Sequence, residues 1–226
     1  MMKSLFAGVV TVLLLIGTVV AASAATVNVD FGTATSNIYE GQGAAVDSGT
    51  NWNKVGIADI GIAELLDSNG GWTGIKVETN AVGAYSDGGG GKKDLLGDRI
   101  FDSMPFPWNA FTVDITGLND AATYNLWFYG SNSNYASKYI VGTDSDYALG
   151  LPFVGQNWEH HNNYAVLYGL QSNSSGVISF QVDKYQGSGA AVIGGFQLQS
   201  VPIPAAVWLL GSGFLGLIGF RRKRNA

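Results

Sequence analysis

Apolar and polar residues alternate over most of the chain. Thr26-Val27-Asn28-Val29-Asp30-Phe31 places an apolar side chain at every second position, the period of a strand whose two faces differ. Residues 72–79 repeat the pattern, with Ile75 and Val77 on one face. Residues 111–115, 123–129, 138–141, 164–168, 177–182 and 190–198 also read as strands. They are rich in β-branched and aromatic residues, and each is bounded by Gly, Asn, Asp or Ser. Gly117-Leu118-Asn119-Asp120 and Asn173-Ser174-Ser175-Gly176 supply turn chemistry between neighbours. Residues 32–50 read as a polar loop with one short strand at 44–46. The apolar stretch 60–66 fits a helical turn or a strand equally well, and residues 67–71 read as a turn. Residues 85–104 read as irregular: four glycines at 88–91 suit neither a helix nor a strand interior, and Pro105 and Pro107 follow. Eight or more short strands without a helical period predict an all-β fold, an antiparallel β-sandwich.

The two ends have a different texture. Lys3 followed by the uncharged apolar run 5–20 and the small-x-small triplet Ala22-Ser23-Ala24 matches a secretory signal peptide over 1–24, with the mature chain beginning at Ala25. At the other end, residues 205–220 form a 16-residue apolar run, just short of a membrane span until Ile203 and Pro204 are included. Arg221-Arg222-Lys223-Arg224 follows, and by the positive-inside rule it stays cytoplasmic. The organisation expected is a signal peptide, a β-sandwich over 25–200, and a C-terminal signal with a transmembrane helix over 201–226.

The tail Val201-Pro202-Ile203-Pro204-Ala205-Ala206, with Trp208-Leu209, Gly211-Ser212-Gly213, Gly216-Leu217 and the basic end, resembles the PEP-CTERM class of bacterial sorting signals, in its Val-Pro-Leu-Pro-Ala variant. Ile203 stands between the prolines where that variant has Leu. The resemblance covers about a tenth of the chain. It implies processing by signal peptidase and then by an exosortase, a transpeptidase-like membrane enzyme, with cleavage near residues 201–204. It also implies a transient inner-membrane anchor, followed by the cell surface, outer membrane or extracellular matrix of a Gram-negative bacterium that makes exopolysaccharide. Within the domain, Asn28-Val29-Asp30-Phe31, Leu118 before Tyr124-Asn125-Leu126-Trp127-Phe128-Tyr129, and Ile193-Gly194-Gly195-Phe196-Gln197-Leu198 resemble the galactose-binding-like jelly roll common in carbohydrate-binding modules. That likeness implies a jelly-roll sandwich and says little about a ligand.

Charge narrows the partners. The chain carries 17 acidic and 12 basic residues, for a net charge of −5. All the acids lie between the two ends, but Lys3 and the four basic residues of the tail do not, leaving seven cations and a net charge near −10 for residues 25–200. Such a surface excludes nucleic acid, whose phosphates require cations, and suits neutral glycans or divalent ions. There is no cysteine, so thiol chemistry and Cys-ligated zinc are excluded.

Candidate chemistry is sparse. Glycosidases need two carboxyls facing across a cleft. The domain has only Glu40, Glu64, Glu78 and Glu159 as glutamates, with Glu64 and Glu78 the one pair considered, while most aspartates sit in turn contexts. No Gly-x-Ser-x-Gly occurs in the domain, and the glycine run lacks the Lys-Ser/Thr of a phosphate loop. Asp94, Asp98 and Asp102 recur every four residues. They would share a face on a helix, or could offer oxygens to a structural calcium ion from a loop; a solvated charged loop balanced by Lys92, Lys93 and Arg99 is the plainer reading. Asp144 and Asp146 form a second, lesser candidate. His160 and His161 are the chain's only histidines; as strand neighbours they would point to opposite faces and not share a metal. Trp108 with Asn109, and Trp158 with Asn157, pair a loop aromatic with an amide, the combination that stacks on and orients sugar rings. A loop tryptophan also serves simply to plug the end of a sandwich. The function expected is a non-catalytic surface or matrix protein with weak carbohydrate binding, against a polysaccharide hydrolase or an adhesive, self-assembling protein.

Overall fold

Among the described residues of the computed structural model, twelve strands build two five-stranded sheets and a two-stranded ribbon. The structure describes residues 26–61, 64–86, 92–102, 109–130, 135–151 and 157–201; the segment 1–24 expected as a signal peptide, residues 202–226 of the expected sorting signal and the glycine run 88–91 lie outside them, whereas Val201 ends a strand. In chain order the strands are β1 (Thr26–Gly32), β2 (Asn53–Gly56), β3 (Lys76–Thr79), β4 (Gly83–Ser86), β5 (Asp98–Phe101), β6 (Phe111–Thr116), β7 (Thr123–Tyr129), β8 (Ser137–Val141), β9 (Asp144–Ala148), β10 (Tyr164–Gln171), β11 (Ile178–Lys184) and β12 (Gly195–Val201). One short helix, α1 (Lys92–Gly97), precedes β5. Ala24–Val201 form one compact unit.

The first sheet runs β10-β7-β12-β1-β2, antiparallel except for the parallel β1–β2 pair. The second runs β3-β6-β11-β8-β9 and is antiparallel throughout. Their inner faces share one core. Phe128 of the first sheet stacks on Tyr139 of the second at 4.7 Å, and Phe180 meets Phe128 and Phe196 edge-on. Val27, Val29 and Phe31 of β1 and Phe111, Val113 and Ile115 of β6 complete it, which is why these strands carry an apolar residue at every second position. All of these residues are buried.

The outer faces differ. On the second sheet Thr112, Asp114, Ser179 and Gln181 face outward at half-exposed or exposed positions, the usual apolar-in, polar-out alternation. On the first sheet the outward positions Asn28 and Gln197 are fully buried. They are covered by a strap, residues 33–52. Asn28 Nδ2 donates to the Ser48 and Asn51 carbonyls at 2.8 and 2.9 Å. Gln197 Nε2 donates to Asn28 Oδ1 at 2.7 Å, and its Oε1 accepts from the Ala45 amide and the Tyr129 hydroxyl. Tyr39, Ala45 and Trp52 of the strap then pack on Trp127, Tyr129 and Val166 as a second apolar cluster. Polar side chains under a covering segment are tolerable because each finds a partner.

Several expectations change in detail. Residues 44–46 are not a strand; they belong to the strap and bond to Gln197 and Tyr129 side chains. The segment 85–104, expected to be irregular, supplies the end of β4, α1 and β5. Strands β2 and β9 were not legible because Asn53-Lys54 and Asp144-Ser145-Asp146 carry too many polar residues to show a buried face.

Candidate functional site

Two places on the domain combine exposed chemistry with a defined frame. The first is a groove at the end of the sandwich where β1 begins and β12 ends. Its volume is about 340 Å³. Val27, Ile75, Leu118, Tyr124 and Leu198 supply apolar walls, and Asp67, Thr73, Asn119 and Ser200 supply polar groups. Trp72 stands on its rim with 72% of its surface exposed. The turn before it is locked: Asp67 Oδ1 accepts the Asn69 and Gly71 amides at 2.8 and 2.9 Å, and Leu66 bridges back to Trp72. The opposite wall is fixed by Gly117, whose φ of +81° and close approach to the Gly74 carbonyl leave no room for a side chain. The Tyr124 hydroxyl accepts the Asn119 amide at 2.9 Å. A large exposed indole on a rigid hairpin beside hydrogen-bonding side chains can stack on a flat apolar face and orient it.

The second place is a cluster of Asp146, His160 and His161, whose ligand atoms all lie within 4.8 Å of one another. Asp146 comes from β9, the edge of the second sheet, and the histidines from the turn before β10, the edge of the first. His160 Nε2 lies 2.6 Å from Asp146 Oδ2, and His161 Nε2 lies 2.9 Å from Oδ1. Oδ2 also accepts the Val166 amide at 2.7 Å, so this carboxylate links the two sheet edges and occupies a donor on an edge strand. Burial alone would raise the Asp146 carboxyl; hydrogen bonds from His160 and from the Val166 and Tyr147 amides outweigh it and hold the group below the usual carboxylate range.

The expectation that adjacent histidines diverge is corrected here. They do not lie on a strand. His161 has φ +68°, and the turn is closed by the Asn163 amide to the Glu159 carbonyl and the His161 amide to the Tyr164 carbonyl. The left-handed residue swings the second imidazole back onto the side of the first, and the rings stack at 3.8 Å. Tyr147 stacks on His161 at 4.2 Å and Tyr185 on Tyr147 at 4.2 Å, giving a column of four rings. The left-handed conformation was the missing signal, and no glycine marks it.

The other candidate residues are placed as follows. Trp158 is half-buried; its indole N–H donates to the Gln42 carbonyl at 2.8 Å and its ring packs on Tyr39 and Tyr129, so it secures the strap. Asn157 and Asn109 are exposed, and Trp108 lies outside the described residues. The Asp94-Asp98-Asp102 spacing does not run along one helix, because α1 ends at Gly97. Asp98 opens β5 and is buried, Asp102 follows the strand half-buried, and the Asp94 side chain lies outside the described residues. Neither Asp98 nor Asp102 joins a three-membered cluster among the described residues, and neither does Asp144. Glu64 accepts the Gly74 amide at 2.7 Å from an exposed loop, while Glu78 is exposed on edge strand β3 opposite Asp114.

No protein-family model and no curated protein matches the chain. Among solved structures, the plant receptor-like kinase FER matches with a TM-score of 0.41 at 12% identity, over 78% of this chain. The match spans 42% of that structure's chain, less than half of its length.

Proposed function

We propose that this is an exported, non-catalytic glycan-binding protein of the bacterial surface or exopolysaccharide matrix, with a galactose-binding-like jelly-roll domain. The observation that carries the binding reading is Trp72, a largely exposed indole held rigidly over the groove. A free indole face in water is an unfavourable apolar surface, and the C–H face of a sugar ring covers it while Asp67, Thr73, Asn119 and Ser200 accept or donate to hydroxyls. The groove holds one carboxylate, Asp67, among its lining residues, and that carboxylate is engaged by two backbone amides. Glycosidic hydrolysis needs a pair, so binding is the reading the lining supports. Neutral glycans suit a domain of net charge near −10 better than acidic ones.

The address rests on the two ends: the apolar run closing at Ala22-Ser23-Ala24, and the Pro202-Ile203-Pro204 motif, apolar run and basic end. The tail is a minimal span, suited to brief retention before an exosortase removes it. Mass spectrometry of the cell-surface or secreted protein is expected to find a terminus near residues 201–204. An intact Arg221-Arg222-Lys223-Arg224 outside the cell would overturn the sorting reading. Binding is tested separately, by retention of the full chain on neutral exopolysaccharide. Retention is expected to fall at least about tenfold in Trp72→Ala, the scale of about 1.4 kcal/mol, with the thermal midpoint unchanged. Equal retention of both proteins would remove Trp72 from the site.

A further inference from the structure

The chain has two histidines and no cysteine, and the fold brings both histidines to one carboxylate. We propose that Asp146, His160 and His161 form a binding site for a divalent transition-metal ion of the zinc class, with His160 Nε2, His161 Nε2 and an Asp146 oxygen as the ligands. The inference is independent of the glycan groove, which lies on other elements.

The donor set selects the ion. Two imidazoles and one carboxylate suit zinc, nickel or copper, whereas calcium and magnesium take oxygen ligands. The geometry is close to what such an ion requires. Bonds of about 2.0–2.2 Å in a tetrahedral arrangement hold donors about 3.3 Å apart. His160 Nε2 lies 2.6 Å from Asp146 Oδ2 and His161 Nε2 lies 2.9 Å from the other oxygen, Oδ1, and the ligand atoms all lie within 4.8 Å of one another, so small side-chain shifts bring both imidazoles and one carboxylate oxygen around a single ion. Three protein ligands leave one position for water or an external donor.

The site is also organised in advance. His161 is held at φ +68°, a conformation that L-residues visit at some strain and that concentrates at ligand-holding positions. Tyr147 and Tyr185 support the imidazole stack from one side. The Val166 amide holds Asp146 Oδ2 and leaves lone pairs on both oxygens, the kind of outer contact that orients a ligating carboxylate.

A metal ion uses both rings in their neutral form and supplies the charge that the carboxylate balances. Its structural effect would be to staple the turn before β10 to β9, across the seam where the two sheet edges meet.

The test uses the full chain, prepared without a polyhistidine tag and stripped with a chelator. Calorimetric titration with zinc chloride is expected to show one ion per chain. At a hundredfold excess over the dissociation constant the thermal midpoint should rise by about 5–10 °C. Calcium chloride is expected to do neither. His160→Asn and His161→Asn should each weaken zinc binding at least about tenfold, and the double variant should abolish it. Asparagine tolerates the left-handed conformation, so His161→Asn removes the ligand while keeping the turn. Cobalt substitution gives a second readout: the visible bands of a four-coordinate site should appear in the parent and vanish in the double variant. Absence of saturable binding at millimolar zinc, or zinc binding undiminished in a folded double variant, would overturn the proposal.

Discussion

Replacing Asn28 with alanine should detach the strap from the first sheet. Asn28 is fully buried and its side chain makes three hydrogen bonds: to the Ser48 carbonyl at 2.8 Å, to the Asn51 carbonyl at 2.9 Å, and from Gln197 Nε2 at 2.7 Å. A buried hydrogen bond contributes about 1 kcal/mol net, and a partner left unsatisfied adds to the loss. Asn28→Ala orphans two carbonyls and one amide, so the expected destabilisation is about 3 kcal/mol. That is a large share of the 5–15 kcal/mol typical of a domain, and it corresponds to about 6–12 °C in thermal midpoint. Urea unfolding of the full chain, followed by tryptophan fluorescence, measures it. Trp52 is a useful reporter because it is a buried residue of the strap itself and donates to the Gly41 carbonyl at 2.8 Å. Gln197→Ala should lose a similar amount, and the double variant should fall short of the sum by about 1 kcal/mol or more, because the two residues share a bond. A loss below about 1 kcal/mol for Asn28→Ala, or full additivity in the double variant, would show that the network does not hold the strap.

Alkaline stability provides a second test. Burial pushes the Tyr39 hydroxyl up to about 12, and raises Tyr129 and Tyr139 well above the usual tyrosine value. The folded state keeps these protons while the unfolded chain loses them above about pH 10, so their contribution is intact below that pH and is lost as pH rises further. Each contributes a slope of up to about 1.4 kcal/mol per pH unit, and Tyr139→Phe should make the alkaline unfolding limb shallower by one proton; an unchanged limb would contradict the assignment. Gly117→Ala should cost about 2 kcal/mol or more, because an added Cβ would lie 2.3 Å from the Gly74 carbonyl at a φ of +81°. Since both residues adjoin the Trp72 groove, glycan retention should fall with stability, and a variant at parental stability would refute the close approach.

The strands at Phe111–Thr116, Thr123–Tyr129 and Ile178–Lys184 were legible because one face of each meets the shared core and the alternation is strong. The same period placed Asn28 and Asp30 on one face of β1 without saying what covers that face. Position 44–46 lacked any local signal for its role, because Ala45 is fixed by Gln197, 152 residues away. The groove was not legible either: alternation over 72–79 puts Trp72 on a strand, whereas its exposure depends on how residues 65–75 fold back on themselves.

What the sequence determined by itself is what short-range chemistry decides. The alternation sets an all-β fold, the lack of cysteine excludes thiol chemistry, and the expectations for the two ends rest on linear patterns that need no fold to be read. Proximity between residues distant in the chain depends instead on three-dimensional packing. Asp146 and the histidines are separated by 14 and 15 residues and reach one another because a single left-handed residue redirects His161 while two sheet edges bring β9 beside β10. Strand period predicted the reverse for that pair, since a period of two holds only while the backbone stays extended.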